Sequence, residues 1–141
     1  MVQFKSYDDI GVSTEGHVAT IEIQRPPHNF FDYSLIQQIA DAMETIDKDN
    51  NLRCVVLCAQ GKSFCAGANF GSDGSSANRS QENNPTDKSS HLYVEAVRLF
   101  ATKTPIVGAI QGAAIGGGLG LSLVPDFRVA CPESRFAANF T

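Results

Sequence analysis

The sequence predicts an α/β fold built on largely parallel strands, and three observations carry that expectation. Apolar residues recur at every second position in some segments and at helical spacing in others. The strand-like and helix-like segments alternate, which implies right-handed crossovers and a parallel sheet. Two glycine-bearing turns, one around Gly67 and one around Gly116, each follow a helix and a strand, so a similar unit occurs twice. With 141 residues, 43% hydrophobic and 18% charged, the chain is long enough for one domain with a real core and is not disordered throughout.

The chain opens with a hairpin. Ile10–Val12 and Val18–Ile23 are rich in β-branched residues and meet around Thr14-Glu15-Gly16-His17. In the second strand Val18, Thr20 and Glu22 occupy one face and Ala19, Ile21 and Ile23 the other. Pro26-Pro27 stops that strand. Asn29 or Asp32 then caps a helix from about Tyr33 to Asp47, with Leu35, Ile36, Ile39, Ala40, Met43 and Ile46 on its apolar stripe. Arg53 to Ala59 is the next strand, and Gln60-Gly61-Lys62-Ser63 leads into the first glycine turn.

Residues 69–90 are nearly all Gly, Ser, Asn, Asp, Gln and Lys, and such a composition cannot offset its ordering entropy by burial. The segment reads as a mobile polar loop within a single domain spanning residues 1–141. A second helix is expected over His91–Thr102, a strand over Ile106–Ile110, and a short apolar helix from the Gly116-Gly117-Gly118 triplet to about Val124. A strand at Phe127–Ala130 and an extended piece over Arg135–Phe140 complete the chain, which ends on an uncapped apolar run and on that ground reads as a fragment.

Composition narrows the function classes. Eleven basic residues against fifteen acidic ones, spread along the chain with a net charge of −4, leave no electrostatic footprint for nucleic acid. No apolar run approaches the roughly 20 residues of a bilayer span, so a soluble, cytoplasmic protein is expected. Cys54 and Cys58 are separated by four strand steps of ~3.3 Å, roughly 13 Å, too far to share a zinc ion. All four cysteines are read as reduced packing residues, with no metal and no organic cofactor.

The two turns are the chemical signal. Glycine lets backbone N–H groups approach a ligand, and N–H groups at a strand-to-helix turn suit an anion or a developing oxyanion. A phosphate-binding P-loop ending at Gly61-Lys62-Ser63 would need glycine where Val56 stands. A dinucleotide fingerprint from Gly116 would need its third glycine at Leu121. Helix–strand close packing is the structural alternative for either turn.

Gly61-Lys62-Ser63-Phe64-Cys65-Ala66-Gly67-Ala68-Asn69 resembles the crotonase motif G-x-x-F-x-A-G-A-[DN]. Residues Ala109 to Gly118 resemble that superfamily's A-x-x-G-x-x-x-G-G-G, and Ile21-x-x-x-Arg25-Pro26 and Asp126-Phe127-Arg128-Val129-Ala130 match its order and spacing. The resemblance to the crotonase (enoyl-CoA hydratase/isomerase) superfamily covers nearly the whole chain. It implies a spiral of ββα units, here stopping before the C-terminal helices, and an acyl-CoA thioester as partner. The enolate would be held by the backbone N–H groups of Ala68 and Gly117. It further implies that Ala66, Ala68, Asn69, Phe70, Gly71 and Gly117 line the acyl-CoA path, with Arg25 and Lys62 near the phosphates. For Arg25 a solvated strand end is the alternative. Lyase or isomerase chemistry in fatty acid metabolism, and a trimer or hexamer in the full-length form, are the family's further implications.

The match breaks at the acid/base positions. Where family hydratases place two glutamates this chain has Gly120 and Phe140, neither of which moves a proton. Asp73, Glu82, Asp87 and Glu95 are expected as solvated charges, Asp126 and Glu133 as structural residues, His28 as a turn residue and Cys65 as packing. Two functions follow: an enolate-stabilising acyl-CoA enzyme, or a catalytically inactive acyl-CoA binder.

Overall fold

The computed structural model describes residues 2–68 and 88–139. Eleven elements follow in order: β1 (Ile10–Glu15), β2 (Val18–Ile23), α1 (Tyr33–Ile46), β3 (Cys54–Ala59), β4 (Ser63–Cys65), α2 (Lys88–Phe100), β5 (Ile106–Ile110), β6 (Ala113–Ile115), α3 (Gly117–Leu123), β7 (Phe127–Ala130) and β8 (Arg135–Ala137). They form a five-stranded sheet in the order β1-β2-β3-β5-β7 and a three-stranded sheet in the order β4-β6-β8. Among the described residues only the β1–β2 pair is antiparallel; β2–β3, β3–β5, β5–β7, β4–β6 and β6–β8 are all parallel. From β3 onward the chain spirals, laying one strand in the large sheet and the next in the small one, with α2 and α3 following the small-sheet strands β4 and β6.

Local chemistry explains each boundary. Gly16, at φ +56°, supplies a left-handed residue that no β-branched side chain would tolerate. The turn is therefore shorter than expected, because Thr14 and Glu15 continue β1 and pair with Ala19 and Val18. Asp32 caps α1, its Oδ1 accepting the Leu35 N–H at 3.0 Å. At the other end the Asp47 carboxylate accepts the N–H groups of Lys103 and Thr104, both at 2.9 Å, which ties α1 to the approach to β5. The helix α2 begins at Lys88, three residues before the expected start, so 88–90 belong to a helix rather than to a polar loop. Small polar residues do not bar a first turn when the following stripe anchors the helix. The rest of the expected loop, 69–87, lies outside the described residues.

The core is the apolar stripe of α1 with the matching faces of the sheet: Leu35, Ile39, Met43 and Ile46 together with Ile21, Ile23, Val55, Leu57 and Phe64, all fully buried. Each aliphatic side chain so buried contributes about 1.5–3 kcal/mol. A polar seam joins α1 to α2. The Arg98 guanidinium meets Asp41 and Glu44, each at 2.7 Å, and also Glu95. Glu95 is therefore not the solvated charge expected of it; it is 9% exposed, paired with Arg98 and touched by the Tyr33 hydroxyl. The outer sides of α2 and β7 leave Val94, Val97, Phe100, Phe127 and Val129 exposed.

Candidate active site

The two glycine turns leave neighbouring parallel strands at the same end. Ser63 and Cys65 of β4 pair with Ala113 and Ala114 of β6, after which β4 enters Ala66-Gly67-Ala68 and β6 enters Gly116 and α3. Ligand crevices in parallel sheets open at this carboxyl end of the strands. Both turns need left-handed backbone, Gly67 at φ +85° and Gly116 at φ +55°.

The turns are pressed together too closely for side chains. A Cβ on Gly67 would sit 2.8 Å from the Ile115 carbonyl oxygen, and one on Gly118 would sit 1.9 Å from the Cys65 carbonyl oxygen. On Gly117 it would strike the Phe31 ring at 2.0 Å. Segments outside the turns brace them. The Ala66 N–H donates to the His28 carbonyl at 2.9 Å and the Phe31 N–H to the Gly67 carbonyl at 3.1 Å, while the Gly116 N–H donates to Ala137 of β8 at 2.8 Å. Asn29 holds the His28–Phe31 loop itself, being fully buried and bonded to Gln60, Ser63 and Arg25.

What remains unpaired is informative. Among the described residues, the N–H groups of Ala68 and Gly117 have no hydrogen-bond acceptor. Both residues line one cavity of about 550 Å³, together with Ala66, Gly67, Gly116 and Gly120. Its remaining wall is apolar: Phe31 and Ile36 near the start of α1, Leu92, Ala96 and Leu99 on α2, and Leu121 and Val124 at α3. Among the described lining residues Tyr93 and Asn139 bring the only polar side chains, and none of those residues carries a carboxylate or an imidazole. A Cβ on Gly120 would meet nothing within 4 Å, so this wall position is open.

The expected site residues fall into three groups. Ala66, Ala68, Gly117 and Gly120 meet at the cavity. Asn69, Phe70, Gly71 and Phe140 lie outside the described residues. Arg25 is placed elsewhere and is not a solvated strand end. Its half-buried guanidinium bonds Asp9 at 2.7 Å, Asp32 at 3.0 Å and the Phe30 carbonyl at 3.1 Å. Burial works against that charge, but the two carboxylates more than offset it and hold Arg25 further protonated than an ordinary arginine. With two anions already on it, the geometry gives no support to a phosphate contact. Lys62 is exposed.

Cys65 is buried packing, as expected, and burial pushes its thiol up to about 11, so it carries no thiolate at neutral pH. Asp126 is structural, accepting the Ile106 N–H at 2.8 Å. His28 stands against Phe30 with ring centroids 5.1 Å apart. Sequence reasoning missed Phe31, Tyr93 and Asn139 as cavity residues. The spacing of Leu92, Ala96 and Leu99, one stripe on α2, was a signal that a face there covers something.

Comparison with known proteins agrees with this fold. The enoyl-CoA hydratase/isomerase family model matches residues 13–141. The chain is 35% identical over 128 residues to the probable enoyl-CoA hydratase echA6 of Mycobacterium tuberculosis, covering 90% of this chain and 49% of that protein. It is 27% identical over 145 residues to a peroxisomal Delta(3,5)-Delta(2,4)-dienoyl-CoA isomerase of Arabidopsis thaliana, covering 96% and 52%. The crystal structure of an enoyl-CoA hydratase/isomerase from Pseudoalteromonas atlantica superposes with a TM-score of 0.79 at 30% identity, over 94% of this chain and 51% of that one. The chain spans about half the length of the relatives it matches. With the spiral of paired sheets and both glycine turns in place, the chain belongs to the enoyl-CoA hydratase/isomerase family.

Proposed function

We propose that the chain binds an acyl-CoA thioester in the cavity between α2 and α3 and stabilises its enolate with the N–H groups of Ala68 and Gly117. One observation carries this reading: two N–H groups without acceptors among the described residues, from the turns that follow adjacent parallel strands, line the same apolar cavity. A thioester carbonyl gains negative charge as its α-carbon loses a proton or its β-carbon takes a nucleophile. Each fixed donor aimed at that oxygen lowers the barrier by about 3–4 kcal/mol. The apolar wall suits the acyl chain, and the activation resides in the thioester, so no further cofactor is part of the proposal. Arg25 has a bracing part in it, because Asp9 and Asp32 hold it at the entry to α1.

The test is calorimetric titration with butyryl-CoA and with free CoA. Binding of the ester tighter than the free thiol, and competitive between the two, supports the proposal; no binding of either removes it.

A second reading, an acyl-CoA binder without turnover, is favoured by the absence of any carboxylate or imidazole among the described lining residues. Disappearance of the conjugated enoyl absorbance on incubation with crotonyl-CoA separates the two. Assembly of several copies is a further proposal, supported by the exposed apolar side chains of α2 and β7.

A further inference from the structure

The wall that α2 gives the cavity is seated on α1 by charge. By helical spacing Leu92, Ala96 and Leu99 form one stripe of α2, which faces the cavity. Glu95 and Arg98 form the neighbouring stripe, and Arg98 reaches α1 from it. Val94 and Val97, on the far side, are exposed. Among the described side chains of α2, Leu99 is the one buried apolar group, while Leu92 and Ala96 are half-buried. Apolar packing therefore gives the helix a narrow seat, because the space beside Leu92 and Ala96 is the cavity itself.

Arg98 supplies the rest. Its Nε donates to Glu44 at 2.7 Å, one Nη to Asp41 at 2.7 Å and the other to Glu95. Asp41 and Glu44 belong to α1, so two of the three bonds cross between the helices. The third neutralises Glu95, which is buried and otherwise meets the Tyr33 hydroxyl at the longer distance of 3.4 Å. Asp41 has a second cation in Lys5, at 2.6 Å. Without the guanidinium, the buried Glu95 carboxylate loses that compensation while Asp41 and Glu44 stay gathered around the same point.

We infer that Arg98 is a positioning residue for the acyl ligand: it seats α2, and with it the Leu92–Ala96–Leu99 wall, without itself lining the cavity. The inference rests on the acyl-thioester reading above. An acyl chain packed against that wall adds apolar contact to the inner side of α2. The ester and the Arg98 bonds then stabilise the same seated helix, so each strengthens the other. Free CoA carries no acyl chain and gains nothing from the wall. Where the seated arrangement is only partly populated, ester affinity falls by that fraction.

The experiment is calorimetric titration of butyryl-CoA and of free CoA on the wild type, Arg98→Met and Arg98→Lys. Methionine keeps an unbranched apolar stem and removes the charge; lysine restores a charge as a single ammonium in place of the planar fork. Arg98→Met is expected to lose about threefold to tenfold in butyryl-CoA affinity, and Arg98→Lys less, with free CoA unchanged in both. A merely structural role moves the unfolding midpoint and leaves the ratio of the two affinities alone. A ratio in Arg98→Met equal to that of the wild type overturns the inference and leaves the acyl-thioester reading standing. Failure of the wild type to bind either ligand overturns both. Hydrogen exchange on the wild type tests the same coupling without a variant that has to fold: butyryl-CoA is expected to slow exchange of the α2 amides more than free CoA does, and equal exchange overturns the inference.

Discussion

Replacing Asn29 with alanine tests how the site is held. Its Nδ2 donates to the Gln60 carbonyl at 2.6 Å and to the Ser63 carbonyl at 2.8 Å, and its Oδ1 accepts the Arg25 N–H at 2.9 Å. These losses are unequal. Ser63 keeps a donor, because the Gln111 amide also reaches its carbonyl at 3.1 Å. Gln60 is exposed, so water reaches its carbonyl and the cost there is about 1 kcal/mol. The half-buried Arg25 N–H loses its acceptor, at about 1–2 kcal/mol. Asn29 also sits at φ +50°, where alanine costs about 1 kcal/mol more than asparagine or glycine. The expected destabilisation is about 3–4 kcal/mol, a large share of the stability of a domain this size. Equilibrium urea unfolding followed by circular dichroism measures it as a fall in midpoint. Asn29→Gly relieves the backbone cost and is expected to recover about 1 kcal/mol of the loss. A loss below about 1 kcal/mol in Asn29→Ala, or a glycine variant no better than the alanine variant, refutes the reasoning.

Three other outcomes follow from the same geometry. Gly118→Ala forces a Cβ into the Cys65 carbonyl and is expected to destabilise by about 3 kcal/mol or more, whereas Gly120→Ala has open space and gains about 0.5–1 kcal/mol in helix propensity; thermal unfolding of the pair reads the contrast. Gly120→Glu sets a carboxylate at the cavity wall and, on the enolate-stabilising reading, raises crotonyl-CoA hydration by about 10²-fold, measured by the loss of enoyl absorbance. For pH, the hydrogen bond from Arg25 holds the Asp9 carboxyl below the ordinary range, against the opposing effect of burial. The unfolded chain takes up that proton more readily, so the stability Asp9 contributes is complete above about pH 4 and is lost as pH falls through the lower folded value. Asp9→Asn is expected to be less stable at neutral pH and to show a shallower acid-side loss in urea titrations.

The large sheet and α1 were legible because their signals are local and repeated. Ala19, Ile21 and Ile23 alternate, and Leu35 to Ile46 keep a helical period over three turns, so both buried faces could be read from spacing. Of the small sheet only β8 was read, inside the extended piece over 135–140; β4, β6 and their pairing were not. Its strands β4, β6 and β8 have three residues each, too few for a period, and β4 is buried along its whole length. The turns were visible through glycine, but their mutual contact was not, since Gly118 against Cys65 is a distant backbone approach. Arg25 and Glu95 misled for one reason: a charge beside a proline or on a helix reads as solvated, and only the fold supplies Asp9, Asp32 and Arg98. Phe31 and Asn139 gave no local signal, because their part comes from bracing loops that the spiral folds back onto the turns.

The central claim is a carbonyl oxygen shared by two backbone donors, and its most direct measurement is the infrared stretch of a bound butyryl-CoA labelled with carbon-13 at the thioester carbonyl. The account predicts a band shifted to lower frequency than in water and narrowed to a single environment, as two fixed N–H groups polarise the bond. A bound ester whose carbonyl band matches that in water, or moves to higher frequency as in an apolar solvent, contradicts it.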